Sequence, residues 1–200
     1  MHVLRRFFPR LLACGLLLSL LSGCGVNDIP TYDEAVKAAW AQVDNQYKRR
    51  ADLIPNLVEV VKGFAAQEKD TLTAVVEARA KATQTQLPSD ILSNPEAFRQ
   101  FEANQGAIGQ ALSRLLVVVE RYPDLKSNQN FLSLQAQLEG TENRIAVARR
   151  DYIQAVQVYN TELRTFPGRI WASLLYSEME IRETFTQPES LAEPPQVTFN

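Results

Sequence analysis

The chain has 200 residues, of which 46% are hydrophobic and 22% are charged, and its formal net charge is −2. This balance excludes both a disordered protein and one that lies wholly within a membrane. The first 23 residues contain Arg5, Arg6 and Arg10 but no acidic residue, so the remaining chain carries a net charge of −5. An acidic body argues against nucleic acid as a partner, because nucleic-acid binding requires a basic face that meets phosphates.

Histidine and cysteine are confined to the N-terminal segment and its end. The one histidine is His2, and the two cysteines are Cys14 and Cys24. If this segment is removed, the mature chain keeps no histidine and at most one thiol. Ser-His-Asp and Cys-His catalysis, histidine zinc sites, thiolate clusters, structural disulfides and helical di-iron sites are then excluded. The sequence therefore predicts no histidine- or cysteine-based catalytic residue, no metal ligand and no cofactor, and leaves only carboxylates as candidates for catalysis.

Residues 1–23 have the organisation of a secretory signal peptide. Basic residues precede an apolar run from Leu11 to Leu21, which is shorter than the roughly 20 residues that a membrane span requires. The run ends in Leu21-Ser22-Gly23-Cys24, which resembles the lipobox of bacterial lipoproteins. The resemblance implies a lipid anchor on Cys24, and Gly25 favours the outer membrane, on its periplasmic face, if the cell is Gram-negative. A buried helix that happens to end in cysteine is the alternative.

The mature chain shows helical periodicity from its start. After a tether over residues 24–30, Thr31 and Glu34 match a capping box, and a helix is predicted from there to about Gln86. Such a helix would be about 84 Å long at 1.5 Å per residue, with a kink at Pro55. Its apolar stripe has gaps at Arg50, Glu68 and Thr71.

Further helices follow at intervals marked by proline. Asn94 and Pro95 predict the start of a second helix that ends near Tyr122-Pro123. A third helix is predicted from Ser127 or Asn128 to about Thr165, and a short last helix over Ile170–Phe185.

Together these elements predict an all-α fold, since no stretch shows sustained alternation of period two. Residues 31–186 should form a single antiparallel long-helix bundle of three main helices plus a short C-terminal helix. A proline-rich tail over residues 187–200 follows.

Charged residues supply two kinds of candidate site. Carboxylates could perform acid–base chemistry, although on helices they are more often solvated or paired within a face. Arginine doublets at 49–50 and 149–150 could meet lipid headgroups or an acidic partner, although ordinary surface charge is favoured. The spacing of Glu142 and Arg149 suits bracing between helices. The carboxylate candidates are Asp52, Glu59, Glu68, Glu139 and Glu142, and the candidate partner-binding residues are Arg49, Arg50, Asp52, Glu142 and Arg149.

Aromatic residues at helical spacing could form a ligand cage, but a core position is favoured for each of them. Gly106 and Gly109 lie within a predicted helix, where they would allow close helix contact rather than bind a nucleotide. The aromatic residues concerned are Trp40, Tyr47, Tyr152, Tyr159 and Trp171.

Two groups of motifs resemble the LemA family. The first includes Arg50-Ala-Asp-Leu-Ile-Pro-Asn-Leu-Val58, and the second includes Tyr122-Pro-Asp-Leu-Lys126 and Leu138-Glu-Gly-Thr-Glu-Asn-Arg-Ile-Ala146. The resemblance extends from about Thr31 to Phe199. It implies a long-helix bundle in the bacterial envelope without established enzymatic activity or cofactor. Members typically carry an N-terminal membrane-spanning helix, which the lipobox replaces here.

Two functional hypotheses follow. The first is a non-enzymatic interaction protein that is tethered by lipid and docks a partner in the envelope. An envelope protein of the TPM-domain type is the partner suggested by analogy with the family, and a homo-oligomer is the alternative assembly. The second hypothesis is a hydrolase that acts on an envelope polymer through carboxylates such as Asp52 and Glu142.

Overall fold

The computed structural model describes residues 25–84 and 88–186. Across these residues the chain is helical and forms no strand, which confirms the all-α fold class. The helices are α1 (Asp28–Phe64), α2 (Lys69–Gln84), α3 (Pro95–Val119), α4 (Pro123–Lys126), α5 (Gln129–Arg164) and α6 (Gly168–Leu175). Helix α1 packs along α5, and α2 packs along α3. The predicted signal peptide and the proline-rich tail lie outside the described residues.

Helix α1 begins three residues before the predicted capping box. It starts at Asp28, within the segment assigned as a tether, and Ile29 is fully buried in the core. The Thr31 hydroxyl donates back to the carbonyl oxygen of Asn27 at 2.7 Å instead of capping the helix. Pro30 fits in the first turn because the N–H groups there have no partner within the helix. The predicted helix start at Thr31 is therefore wrong, because burial of Ile29 extends the helix.

The prediction that the first helix continues to about Gln86 is also wrong. Helix α1 ends at Phe64, where Ala65 takes a non-helical conformation, and α2 runs back along α1. Leu72 and Val75 of α2 are thereby buried in the same cluster as Ile54. An unbroken rod would leave these side chains in water, so burial of apolar surface favours the hairpin. The gap in the apolar stripe at Glu68 marks the break.

Pro55 is accommodated inside α1, which remains continuous from Asp28 to Phe64. Proline has no N–H, so the carbonyl oxygen of Ala51, four residues earlier, loses its usual helical donor. The Nε of Arg79 on α2 donates to this oxygen at 2.8 Å. The hairpin therefore supplies the hydrogen bond that the proline removes.

This pairing predicts a conditional effect on stability. Arg79→Met should lower the free energy of unfolding by about 1–2 kcal/mol, because the Ala51 oxygen is left without a donor. In a Pro55→Ala background, where residue 55 regains its N–H, the same substitution should cost much less. Urea unfolding of the four proteins in this double-mutant cycle measures the difference. Equal losses in both backgrounds would contradict the assignment.

Helices α3 and α5 begin where the sequence predicts. The Asn94 side chain accepts hydrogen bonds from the backbone N–H groups of Glu96 and Ala97 at 3.2 and 3.1 Å. Asn128 caps α5 in the same way, with bonds of 3.0 and 3.1 Å. Each cap satisfies amides that have no partner within the helix, which explains why asparagine is found at both positions.

The predicted last helix is only half formed. Helix α6 ends at Leu175, and residues 176–186, which we call the strap, return along α5 without helical structure. The hydroxyl of Tyr152 donates to the carbonyl oxygen of Glu183 at 2.7 Å, and Asn160 exchanges two hydrogen bonds of 2.9 Å with the backbone of Arg182. These side chains take the place of helical partners, so the prediction of a helix through Phe185 is wrong.

The core consists of two apolar clusters stacked along α1 and α5. In the first cluster the ring of Trp40 lies 5.1–6.3 Å from four other aromatic rings, contributed by Phe98, Phe101, Tyr152 and Phe185. The second cluster includes Ile54, Val61, Ile108, Leu115 and Phe131. The aromatic residues considered as a ligand cage are thus core residues or, like Trp171, pack against the core. Their rings fill space that a ligand would need.

Candidate functional site

A polar layer separates the two apolar clusters, and Arg50 lies at its centre. Arg50 is 4% exposed, and it sits on α1 between Tyr47 of the first cluster and Ile54 of the second. On α3 and α5 the corresponding level is occupied by Gln105 and by Thr141, which are also buried. The gap at Arg50 in the apolar stripe of the sequence therefore corresponds to an interruption of the apolar core.

The guanidinium group of Arg50 joins three helices. Nη1 lies 3.2 Å from Oε1 of Glu142 on α5, and Nη2 donates to Oε1 and to the backbone oxygen of Gln105 on α3 at 2.7 and 3.0 Å. The group also stacks over the ring of Tyr47, with 4.9 Å between Cζ and the ring centroid. Nε has no hydrogen-bond partner among the described residues. A buried charge is tolerated only when it is paired in this manner.

Arg149 forms a second cross-helix contact at the same level. Its guanidinium group lies 3.8 Å from Oε1 of Glu102 on α3 and 4.3 Å from the ring centroid of Phe185 in the strap. Glu102 also accepts hydrogen bonds from the backbone and hydroxyl of Thr186. Glu142 and Arg149 thus brace helices through separate partners, Arg50 and Glu102. The predicted bracing role is confirmed for both residues.

These groups surround a cavity of about 190 Å³. Gly106 and Gly109 lie on its wall, and a Cβ atom built on either glycine would meet nothing within 4 Å. The prediction that these glycines permit close helix contact is therefore wrong, because they border open space. The polar and aromatic lining comprises Tyr47, Arg50, Glu102, Gln105, Glu142 and Arg149.

The cavity offers a balanced set of charges without an obvious reactive group. Two arginines face two glutamates, and the Glu142 carboxylate already accepts from Arg50. Burial raises the pKa of Tyr47 above its ordinary value, so this phenol stays protonated. Within residues 25–84 and 88–186, no three His, Cys, Asp or Glu residues are grouped in a way that could hold a metal ion. The geometry is that of an interhelical clamp.

The remaining sequence candidates lie elsewhere. Arg49 and Asp52 are exposed and do not line the cavity, so Asp52 and Glu142 are not brought together as a catalytic pair would require. Arg150 pairs with its neighbour Asp151 at 3.2 Å. Glu59 and Glu139 are also exposed on their helices. Cys24, the predicted lipidation site, lies outside the described residues.

Glu68 holds the turn between α1 and α2 in place. Its carboxylate accepts from the hydroxyl of Tyr122 at 2.7 Å and from Arg121 at 3.0 Å. Gln67 donates to the same Tyr122 hydroxyl at 2.9 Å. A carboxylate with two donors at a helix junction has a structural role, so the predicted alternative of an acid–base role is not favoured.

A second buried ion pair, between Asp33 and Arg182, has no signal in the sequence. Asp33 is 2% exposed, and Oδ1 lies 2.7 Å from Nη2 of Arg182 in the strap, while Oδ2 lies 2.9 Å from Lys37. Burial alone would raise the pKa of Asp33, but the bonds from Lys37 and Arg182 outweigh it and hold the pKa below its ordinary value. The two partners are too far apart in the sequence for any local pattern to reveal them.

This ion pair predicts a pH-dependent stability. A carboxyl whose pKa is lower in the folded state stabilises the fold above its unfolded pKa, and the contribution is lost as pH falls through the folded pKa. Asp33→Asn should therefore lower stability at neutral pH, and its difference from the wild type should shrink below about pH 3.8. Urea titrations across this range measure both. Exposed Asp52→Asn is the control at neutral pH, and a difference for Asp33→Asn that persists in acid would contradict the prediction.

A more open groove lies between α1 and α5 on the surface of the bundle. Its volume is about 350 Å³. Val147, one of its lining residues, is 47% exposed, and Arg144 bridges the two helices by donating to Gln46 at 3.2 Å. The lining residues are Ala39, Gln42, Gln46, Asn143, Arg144, Val147, Ala148 and Asp151. The groove leaves no signal in the sequence, because both helices carry ordinary surface patterns there.

Of the helices in the described ranges, none combines the length and the hydrophobicity that a bilayer span requires.

The chain is similar in sequence to several known bacterial proteins. It is 26% identical over 188 residues to magnetosome protein MamQ 2 of Paramagnetospirillum magneticum, covering 86% of this chain and 68% of that protein. It is 24% identical to MamQ of Magnetospirillum gryphiswaldense, covering 70% and 58% of the two chains. Protein LemA of Metamycoplasma hominis is 21% identical, with coverage of 78% and 65%. None of these names states an enzymatic activity.

The family model of the LemA family matches residues 39–199. This range includes the polar layer, the groove and both groups of sequence motifs that carry the resemblance. Since the match covers far more than half of the chain, the chain belongs to the LemA family.

Proposed function

We propose that the protein is a non-enzymatic interaction protein of the bacterial envelope, anchored by lipid on Cys24, and that it docks a partner in the groove between α1 and α5. The groove is the observation that carries the proposal. It combines exposed apolar surface at Val147 with the amide side chains of Gln42, Gln46 and Asn143, as does a surface that receives a helix or a loop of another protein. An envelope protein of the TPM-domain type is the partner by analogy, and a second copy of the chain is the alternative.

The charged residues of the polar layer support this assignment. Arg50, Glu142 and Gln105 bind one another, and Arg149 binds Glu102, so these groups hold the bundle together. A hydrolase that used Glu142 would have to release its carboxylate from Arg50. These contacts would keep the bundle rigid, so that the groove on its outer face is presented to a partner in one fixed shape.

Membrane association is supported by two further observations. The motif Leu21-Ser22-Gly23-Cys24 resembles a lipobox, and the chain is similar in sequence to magnetosome proteins. Mass spectrometry of the mature protein tests the anchor. We expect a diacylglycerol on Cys24 and an uncleaved, unlipidated chain in Cys24→Ser. A mature mass that this substitution leaves unchanged would contradict the anchor.

Docking in the groove can be tested with matched variants on α5. Val147 lies in the groove and is 47% exposed, whereas Val158 lies outside it and is 43% exposed. We expect Val147→Glu to lose a partner that co-purifies with the wild type from gently solubilised native membranes, and Val158→Glu to keep it. Circular dichroism should show both variants folded. Equal recovery with the two variants would contradict docking at the groove.

A further inference from the structure

Exposed apolar side chains are concentrated at the junction of α5 and α6. Phe166 is 80% exposed, Leu174 70%, Leu175 57% and Ile170 44%. We call these four residues the apolar tip. Other exposed large apolar side chains, such as Val117 on α3 and Ile181 in the strap, are scattered over the structure. A soluble surface rarely gathers four such residues within ten positions, so the apolar tip marks an interface.

Helix α6 presents one face to the bundle and the other to the outside. Trp171 and Ala172 pack against the first core cluster, whereas Ile170 and Leu174, one helical turn apart, are exposed. Gly168 permits this close packing of α6 on α5, because a Cβ atom there would collide with the backbone carbonyl of Glu162. The apolar tip is therefore held in place by the packed side of α6.

The N-terminus of the described chain reaches the same end of the bundle. A methyl group placed on Gly25 would lie 3.5 Å from Cγ of Pro167 and 4.0 Å from Nε1 of Trp171. Cys24 directly precedes Gly25 in the chain, and consecutive Cα atoms are about 3.8 Å apart. With α1 starting at Asp28, the chain between Cys24 and the bundle is too short to hold the bundle away from its anchor.

Charge near the apolar tip is mixed. Arg164 and Arg169 are exposed beside it, and Glu178 is exposed just after it. Because both signs of charge are present, this surface favours a binding partner that is held by apolar contact rather than by attraction to one sign of charge. A lipid bilayer fits, since amphipathic helices bury their apolar face about 5–10 Å into the boundary between headgroups and acyl chains.

We propose that Phe166, Ile170, Leu174 and Leu175 insert into the surface of the membrane that holds the N-terminus. The end of the bundle that carries α6 then rests on the bilayer, and α1 and α5 lead away from it toward the groove. The proposal rests on the lipid anchor of the proposed function. It adds a defined orientation of the bundle, with the apolar tip as a second point of membrane contact.

The test compares two positions of equal exposure in the full lipidated protein. Leu174 is 70% exposed on the apolar tip, and Val117 is 71% exposed on α3. Leu174→Cys and Val117→Cys are each labelled with an environment-sensitive fluorophore, since the Cys24 sulfur is already occupied by lipid. The proteins are reconstituted into vesicles of phosphatidylcholine, alone or mixed with phosphatidylglycerol, with brominated lipids as quenchers.

We expect a blue-shifted emission at residue 174 and quenching by brominated lipid about twofold or more above that at residue 117, in both vesicle types. Equal quenching at the two positions would overturn the proposal. A blue shift at residue 174 without lipid quenching would also overturn it, because protein, such as a second copy, would then cover the apolar tip. Flotation with the vesicles separates the two claims. A chain that fails to float contradicts the anchor itself, whereas one that floats with residue 174 in water contradicts only the orientation.

Discussion

Replacing Arg50 with alanine should destabilise the protein by about 3 kcal/mol. The substitution removes a side chain that is 4% exposed and leaves the side chain of Gln105 buried without its charged donor. Loss of one partner from a buried hydrogen bond costs about 1–3 kcal/mol, and loss of one partner from a buried ion pair costs about 3–5 kcal/mol. Because the side chain of Glu142 is 44% exposed and can be hydrated, we expect a value near the lower end of the latter range.

The neighbouring residue supplies a matched control for this prediction. Arg49 has the same charge and the adjacent position on α1, but its side chain is exposed. Arg49→Ala should change the free energy of unfolding by less than about 0.5 kcal/mol, as is usual for a surface substitution. Chemical denaturation of the two variants measures both values. Similar losses from Arg49→Ala and Arg50→Ala would show that the polar layer does not hold the helices.

Phe185→Ala should destabilise the fold by about 3–5 kcal/mol and release the strap. Phe185 is 4% exposed, its ring contacts three aromatic rings of the first cluster, and Arg149 stacks on its face. Truncation of a buried phenylalanine has a cost of this order because it removes apolar burial and leaves a cavity. The strap has no helical hydrogen bonds of its own, so loss of this contact should also loosen its backbone.

Hydrogen exchange distinguishes local release from general destabilisation. In Phe185→Ala, the amides of Arg182 and Glu183, which bond to Asn160 and Leu92, should exchange faster than those of α5. Thr184→Ala, next to it but exposed, is the control and should exchange like the wild type. Unchanged protection of Arg182 and Glu183 in Phe185→Ala would mean that these hydrogen bonds hold the strap without the Phe185 ring.

Local signals in the sequence predict a large part of this fold. The caps at Asn94 and Asn128 act over three residues, and α5 follows its apolar repeat from Phe131 to Tyr159. The caps and the apolar repeat both depend on residues that are close together in the chain, so a single sequence is sufficient to predict them.

The hairpin between α1 and α2 could not be read in the same way. Residues Ala65, Ala66, Gln67 and Glu68 favour a helix, and the one nearby glycine, Gly63, lies inside α1 rather than at the turn. The reversal is set by burial of Leu72 and Val75 against other helices. Tertiary packing overrides local preference here.

Some residues of the candidate site could be predicted from the sequence, but their partners and arrangement could not. Arg50, Glu142 and Arg149 do converge, while Arg49 and Asp52 do not, because one residue along a helix turns a side chain by about 100°. The partners Gln105, Glu102 and Phe185 come from distant parts of the chain. The arginine that interrupts an apolar stripe was the one local signal that pointed to the polar layer.

The central claim, docking of an envelope partner at the groove, is tested most directly by crosslinking in intact native cells. A photoreactive residue replaces Gln46 in the groove or, as the control, exposed Glu59 on the same helix. Mass spectrometry then identifies the products. We expect one dominant partner at position 46 that is absent at position 59 and is lost when Cys24→Ser removes the anchor. The same products at both positions, or none at position 46 beyond the control, would contradict the claim.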